Sequence, residues 1–272
     1  MGLSTFRQRF ARVTADFRDV TERSGEPATL GQIADMAHRY HWAARRAEGR
    51  RVLEVACGTG QGLGILATRA ASIVACDLDA DNVSEATRTH GERFPIRVSD
   101  ALSLPVGDAE VDAVVLFEAI YYLSDARVFL GECRRVLSSS GIVLLSTTNP
   151  DLFDFSPSPL SRRYYGASEL AGLLESSGFR PTLFGYGRIE GLPLRQRLLR
   201  PVKVAARSLG LVPRTMRGKA LVRRVLFGRL PVMPRDLTTV LPPSDEPVAI
   251  SRDVPDRVHR YLYVVGELGS HR

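Results

Sequence analysis

Lysine is almost absent from this 272-residue chain: 35 of its 37 basic side chains are arginine. A bias of that size is a mark of GC-rich bacterial genomes and carries no chemical information. Cysteine is scarce as well. Cys57, Cys76 and Cys133 are an odd number at no metal-ligand spacing, which argues against a disulfide framework or a metal site and suits a reducing cytoplasm. No stretch holds the roughly 18 consecutive apolar residues of a membrane span. Residues 1–20 alternate arginine with apolar residues and lack the continuous apolar core of a secretory signal. Repeats of 20 to 50 residues and low-complexity tracts are missing too. With 44% apolar and 25% charged residues, the composition excludes a fibrous or disordered chain. A cytoplasmic globular protein of one large or two small domains is expected.

The net charge of +7 is unevenly placed. Residues 188–229 hold twelve Lys or Arg and a single acid, Glu190, so this block is +11 and the remainder sums to −4. A uniformly basic chain would suggest general affinity for nucleic acid; here one basic block sits on an ordinary body. Within it, residues 193–209 and 216–227 combine apolar residues at helical spacing with arginines. Three readings compete for them: a solvated face, a lid gripping an anionic acceptor, and peripheral contact with an anionic membrane.

From Arg51 to Thr148 short β-branched runs alternate with helical stretches. The strand runs are Arg51–Val55, Ser72–Cys76, Ile96–Val98, Val111–Phe117 and Gly141–Thr147. The helical stretches are Gly64–Ala70, Asp79–His90 and Leu123–Leu137. That alternation implies βαβ units and a parallel sheet covered on both faces. A helix over Ser168–Ser177, closed by Gly178, and strands over Arg180–Tyr186 and Val258–Glu267 follow; an amphipathic helix over Leu30–Ala47 precedes them. The expected organisation is a helical cap over 1–50, an α/β core over 51–187 and 251–272, and a basic helical insertion over 188–250.

The stretch Glu54-Val-Ala-Cys-Gly-Thr-Gly-Gln-Gly sets a glycine cluster after a strand and before a helix, where ligand and backbone can approach closely. Asp77 follows Gly58 by nineteen residues, at the tip of the second strand, the spacing at which an acid receives ribose hydroxyls. A dinucleotide fingerprint needs a third glycine, but Leu63 and Ile65 occupy the two positions where it would fall. Glu54 suits a cationic amino group, met directly or through water, and offers nothing to a pyrophosphate. The residues therefore describe a site for a nucleoside with a charged amino-acid tail.

Taken together, VLEVACGTGQG (Val52–Gly62), VACDLD (Val74–Asp79), SDALSLP (Ser99–Pro105) and VDAVVLFEAIYYL (Val111–Leu123) resemble the class I S-adenosylmethionine-dependent methyltransferases over about residues 51–148. The resemblance implies a doubly wound, seven-stranded, mostly parallel Rossmann-like sheet whose last strand, Val258–Glu267, runs antiparallel. It implies S-adenosyl-L-methionine as cofactor, with Glu54 near the methionine amino group and Ala56, Cys57, Gly58, Thr59 and Gly60 along the methionine. Asp77 then takes the ribose, Leu78 stacks on adenine, Asp100 and Ala101 read the adenine edge, and Phe117 and Glu118 floor the sulfonium. No metal is implied.

Where many small-molecule members carry Glu-His-Leu, this chain has Tyr121-Tyr122-Leu123. Candidates for handling the acceptor are Tyr122, Glu118, His38 and His41, set against the competing reading that each is a packing residue. The fourth strand ends Phe117-Glu118-Ala119-Ile120, not in an Asn-Pro-Pro-aromatic tetrapeptide, which disfavours nucleic-acid bases as acceptors. The segment Thr148–Pro159 with Arg162-Arg163-Tyr164-Tyr165 is similar to a subgroup associated with bacterial glycans and glycosylated natural products. The expectation is methyl transfer to O or N of a small, anionic or glycosylated molecule. The alternative is a non-catalytic nucleoside-binding or membrane-associated module on the same fold.

Overall fold

The computed structural model describes residues 21–158, 160–191, 201 and 230–269. Buried β-branched runs make its central strands β1 (Arg51–Val55), β2 (Ser72–Asp77), β3 (Ile96–Val98) and β4 (Val111–Phe117), as the patterning predicts. β5 is longer than expected, Leu137–Thr148. Its register against β4 jumps from Val111↔Leu137 to Ala113↔Ile142, so the polar Ser138–Gly141 stretch bulges out and the regular ladder starts where the apolar run does. β6 (Phe179–Arg188), β7 (Val248–Ala249) and β8 (His259–Leu268) complete one sheet of order β3-β2-β1-β4-β5-β8-β6-β7.

β1 to β5 pair in parallel, and β8 runs antiparallel between β5 and β6. Among the described residues the sheet has eight strands, one more than the seven expected. The extra strand is the two-residue β7, which pairs with Phe184 and Gly185 of β6 and is too short for its sequence to show a period.

Helices cover both faces. α1 (Leu30–Arg46) starts at a capping box in which Thr29 and Gln32 satisfy each other's backbone N–H. It buries Trp42, Tyr40 and Met36 on one face of the sheet with Leu63, Ile65 and Leu66 of the single-turn α2 (Leu63–Leu66). α3 (Ala80–His90) is N-capped by Asp79. α4 (Ala126–Val136) and α5 (Ala167–Ser176) cover the opposite face through Phe129, Leu130, Leu170 and Leu174. α4 starts three residues later than the pattern suggests, because the Asp125 side chain accepts from the Arg127 and Val128 amides and fixes the start there. Gly178, at φ +85, follows α5 in the left-handed conformation.

Residues 230–250, grouped above with a helical insertion, run as extended and turn structure. They pair with the segment before α1: the Ala28 amide donates to Pro231 O at 2.9 Å and the Met233 amide to Glu26 O at 2.8 Å. Met233 and Leu237 are buried, and the Leu237 amide donates to Gln61 O at 3.0 Å, which lays this stretch against the glycine loop. The patterned stretches 193–209 and 216–227 lie outside the described residues.

Two glycines make opposite predictions. A Cβ on Gly62 would stand 2.1 Å from the Tyr40 ring, whereas one on Gly131, in mid-α4, meets nothing within 4 Å. Gly62→Ala should therefore cost about 1–3 kcal/mol through overpacking. Gly131→Ala should gain about 0.5–1 kcal/mol through helix propensity. Urea unfolding of the two variants measures both.

Candidate active site

The strand order reverses between β1 and β4, and in open α/β sheets the crevice beyond the carboxyl ends at that point takes the ligand. The chain turns sharply there. Ala56, after β1, and Glu118, after β4, both take left-handed backbone conformations at φ 56 and φ 50, uncommon for residues with a side chain. Gly58 and Gly60 follow at φ 57 and φ 81. A Cβ on Gly58 would lie in ordinary contact with the Thr21 methyl at 3.6 Å, whereas one on Gly60 would stand 2.9 Å from the Ala86 Cβ, so the loop is packed tightly at Gly60 and less so at Gly58. Cys57 and Thr59 are buried; the Thr59 hydroxyl accepts from the Ser24 amide at 3.0 Å.

Asp77 joins the parts. Its Oδ2 accepts from the Gly58 amide at 2.8 Å, and its Oδ1 accepts from the Asp79 amide at 2.9 Å and from Asn82 Nδ2 at 3.2 Å. The Ser99 amide donates to the Asp77 carbonyl at 2.9 Å, bringing the Asp100–Ala101 turn alongside. Leu78, Asp100 and Ala101 are half-buried, and Asp100 Oδ1 closes its own turn on the Leu102 amide at 3.0 Å. Burial raises the Asp77 pKa, against its three hydrogen bonds. A carboxylate offers about four acceptor positions, so the chain leaves room for about one ribose hydroxyl. Beside it, Asn82 Oδ1 is buried with no hydrogen-bond partner among the described residues, a second acceptor that the sequence reading missed.

Glu54 is 2% exposed. The Tyr40 hydroxyl of α1 donates to its Oε1, and its Oε2 has no partner among the described residues. Burial pushes its pKa up to about 8. A buried carboxyl oxygen without a partner costs about 1–3 kcal/mol and fits an arriving amino group. The Tyr40 ring meets Phe117 edge-on at 5.3 Å. The residues present therefore fit S-adenosylmethionine: an orphan acid for the amine, a glycine loop in left-handed conformation after β1, and ribose acceptors at the tip of β2.

The proposed acceptor-handling residues stand differently. Glu118 accepts from Ser146 Oγ at 2.9 Å, from the Thr148 amide and hydroxyl at 3.1 and 2.8 Å, and from Tyr121 Oη at 3.2 Å. That holds its carboxylate against β5. His38 is a packing residue: its Nε2–H donates to Asp245 O at 2.9 Å, leaving Nδ1 to accept from Tyr263 Oη at 3.1 Å. The ring stacks on Tyr186 at 3.7 Å, and burial lowers its pKa to about 4. His41 Nε2 is buried without a partner among the described residues. Tyr122 donates to Ser158 Oγ at 2.8 Å, and burial raises its pKa to about 12. Beyond β5, Asp151 Oδ2 accepts from the Ala167 amide at 3.4 Å at the start of α5, and Arg163 pairs with Glu169 at 3.0 Å.

Sheet order and site define a doubly wound fold built for an adenosyl amino acid. Residues 53–145 match the methyltransferase-domain family. A probable S-adenosylmethionine-dependent methyltransferase of Mycolicibacterium smegmatis is 39% identical over 146 residues, 52% of this chain and 56% of the relative. A fatty-acid O-methyltransferase of the same organism is 37% identical over 116 residues, 41% of this chain and 42% of the relative. The chain thus aligns with about half the length of the curated relatives it matches. Among solved structures, the [4+2]-cyclase SpnF superposes with a TM-score of 0.57 at 17% identity, covering 97% of this chain and 96% of SpnF. That likeness concerns the fold.

The raised Glu54 pKa has a consequence for binding. Tyr40 and Arg39 of α1 and Asp77 of β2 face this carboxyl, and only its ionised form pairs with an ammonium. Below about pH 8 it must lose a proton on binding. The affinity for S-adenosylhomocysteine should therefore rise with pH, approaching about tenfold per unit near pH 6 and levelling above about pH 8. Calorimetric titration measures this, and Glu54→Gln should flatten the profile.

Proposed function

We propose that this chain transfers a methyl group from S-adenosylmethionine to an oxygen or nitrogen of a small molecule. The observation that carries the reading is the pair of acids at the tips of adjacent strands: Glu54 with its orphan Oε2 and Asp77 beside Asn82, flanking the glycine loop. The bound cofactor supplies an electrophilic methyl on a sulfonium, and displacement there needs in-line alignment and exclusion of water. The chain's task is to align. Glu54 holds the amine, Asp77 and Asn82 the ribose, and Phe117 with the turned backbone at Glu118 forms the floor.

For the acceptor we propose an oxygen on a sugar of a glycan or glycosylated natural product. Support comes from the likeness of residues 148–165 to a glycan-associated subgroup, and the fatty-acid relative supports oxygen over nitrogen. Tyr122 keeps its proton at neutral pH, so it acts as a hydrogen-bonding wall and not as a base. Its bond to Ser158 fastens the loop after β5 to the turn after β4.

Mass spectrometry should detect one added methyl on glycosylated acceptors, in a panel that also holds fatty acids and phenols, when the chain and S-adenosylmethionine are both present. Methylation of the fatty acids alone would reject the sugar assignment, and cofactor binding without transfer to any acceptor would favour a binding module. Asp77→Asn should weaken S-adenosylhomocysteine binding by about 2 kcal/mol. Tyr122→Phe should leave that affinity unchanged and lower kcat about fivefold, the loss of one neutral hydrogen bond.

A further inference from the structure

α3 meets the glycine loop along a single stripe. Asn82, Ala86 and His90 stand four residues apart, so they share one helix face, and all three are buried. Asn82 donates to Asp77 Oδ1 at 3.2 Å. Ala86 packs so close to the loop that a Cβ on Gly60 would stand 2.9 Å from its own. His90, the last residue of α3, sets its Nε2 at 2.8 Å from Gly60 O. A carbonyl oxygen only accepts, so Nε2 carries the hydrogen and donates. The ring is backed by Phe94 at 5.4 Å, and Gly91, at φ +60, ends the helix directly behind it. No cofactor contact argued above uses this imidazole.

We infer that His90 is a positioning residue for the cofactor: its imidazole holds the Gly60 carbonyl, so that the glycine loop has its binding conformation before the ligand arrives. The inference rests on the methyltransferase reading above. A peptide group is planar, so fixing the Gly60 carbonyl also fixes the Gln61 N–H on the opposite side of the same plane. Gly60, at φ +81, has no side chain to stop that plane from turning. Asp77 fixes the other end of the turn through the Gly58 amide. The loop is thus gripped at one N–H by the tip of β2 and at one C=O by the end of α3. The second grip is not needed to satisfy the carbonyl. The Leu63 amide donates to the same oxygen at 3.1 Å, so without the imidazole Gly60 O stays paired and the fold loses little. What goes is the tether, and a loop free to turn must then be ordered by the ligand, at a cost in affinity.

The test is calorimetric titration with S-adenosylhomocysteine of the full chain, unmodified and as His90→Leu and His90→Gln. Leucine fills the space without a donor, and glutamine offers an amide N–H at nearly the reach of Nε2. His90→Leu should weaken binding about fivefold, the worth of one neutral hydrogen bond, and His90→Gln should stay within about twofold of the unmodified chain. In hydrogen exchange without ligand, peptides covering Glu54–Gly62 should exchange faster in His90→Leu and not in His90→Gln. Nitrogen NMR of the histidine-labelled unmodified chain, which needs no variant to fold, should find a hydrogen on His90 Nε2 both before and after S-adenosylhomocysteine is added. The proposal is overturned if His90→Leu binds as tightly as the unmodified chain, or if both variants weaken binding by one factor, the mark of a packing role. A free chain with no hydrogen on His90 Nε2 overturns it as well. No binding of S-adenosylhomocysteine to the unmodified chain would sink the methyltransferase reading itself, whereas binding that ignores both substitutions sinks the positioning role alone.

Discussion

One carboxylate holds the cofactor edge in shape. Asp77 accepts from the Gly58 amide of the loop after β1 and from Asp79 and Asn82 at the start of α3, so a single buried acid cross-links the carboxyl ends of β1 and β2. Desolvation works against it, and the three donors hold it in place. With the loop pinned from this side, its glycines can keep left-handed conformations. Its far side is closed by Tyr40 over Gly62 and by the extended segments 21–28 and 230–237.

The site is acidic where the ligand is cationic. Glu54, Asp77 and Glu118 end β1, β2 and β4, and Arg39 is the buried cation set against them. A sulfonium cofactor carries one more positive charge than its thioether product, so the same acids favour the entering ligand over the leaving one. Glu118 contributes through its charge and its turned backbone, since its oxygens are engaged by β5.

Much of this was legible in the sequence because it is local. β1, β3 and β4 coincide with their β-branched runs, and the glycine loop and Asp77 announce themselves by spacing. What was hidden depends on long-range pairing. Arg39, Tyr40 and Asp35 sit in an amphipathic helix, and nothing local tells a buried polar residue there from one facing water. The clue was charge on the apolar side: Asp35 and Arg39 interrupt the stripe of Ile33, Met36, Tyr40 and Ala43. Asp35 in fact pairs with Arg260 of β8 at 3.1 Å, 225 positions away. His38 misled for the same reason, since its partners, Tyr263 and Asp245, are equally remote. The pairing of residues 25–28 with 231–233 joins two segments with no strand period of their own.

The central claim is that an adenosyl amino acid binds along the carboxyl ends of β1, β2 and β3, beneath α1. Hydrogen exchange of the chain with and without S-adenosylhomocysteine, read by mass spectrometry, tests it directly. The account predicts added protection in peptides covering Glu54–Gly62, Asp77–Asn82 and Ser99–Leu102 together with Asp35–Tyr40 of α1. Protection confined to other parts of the chain, or none at saturating ligand, would contradict it.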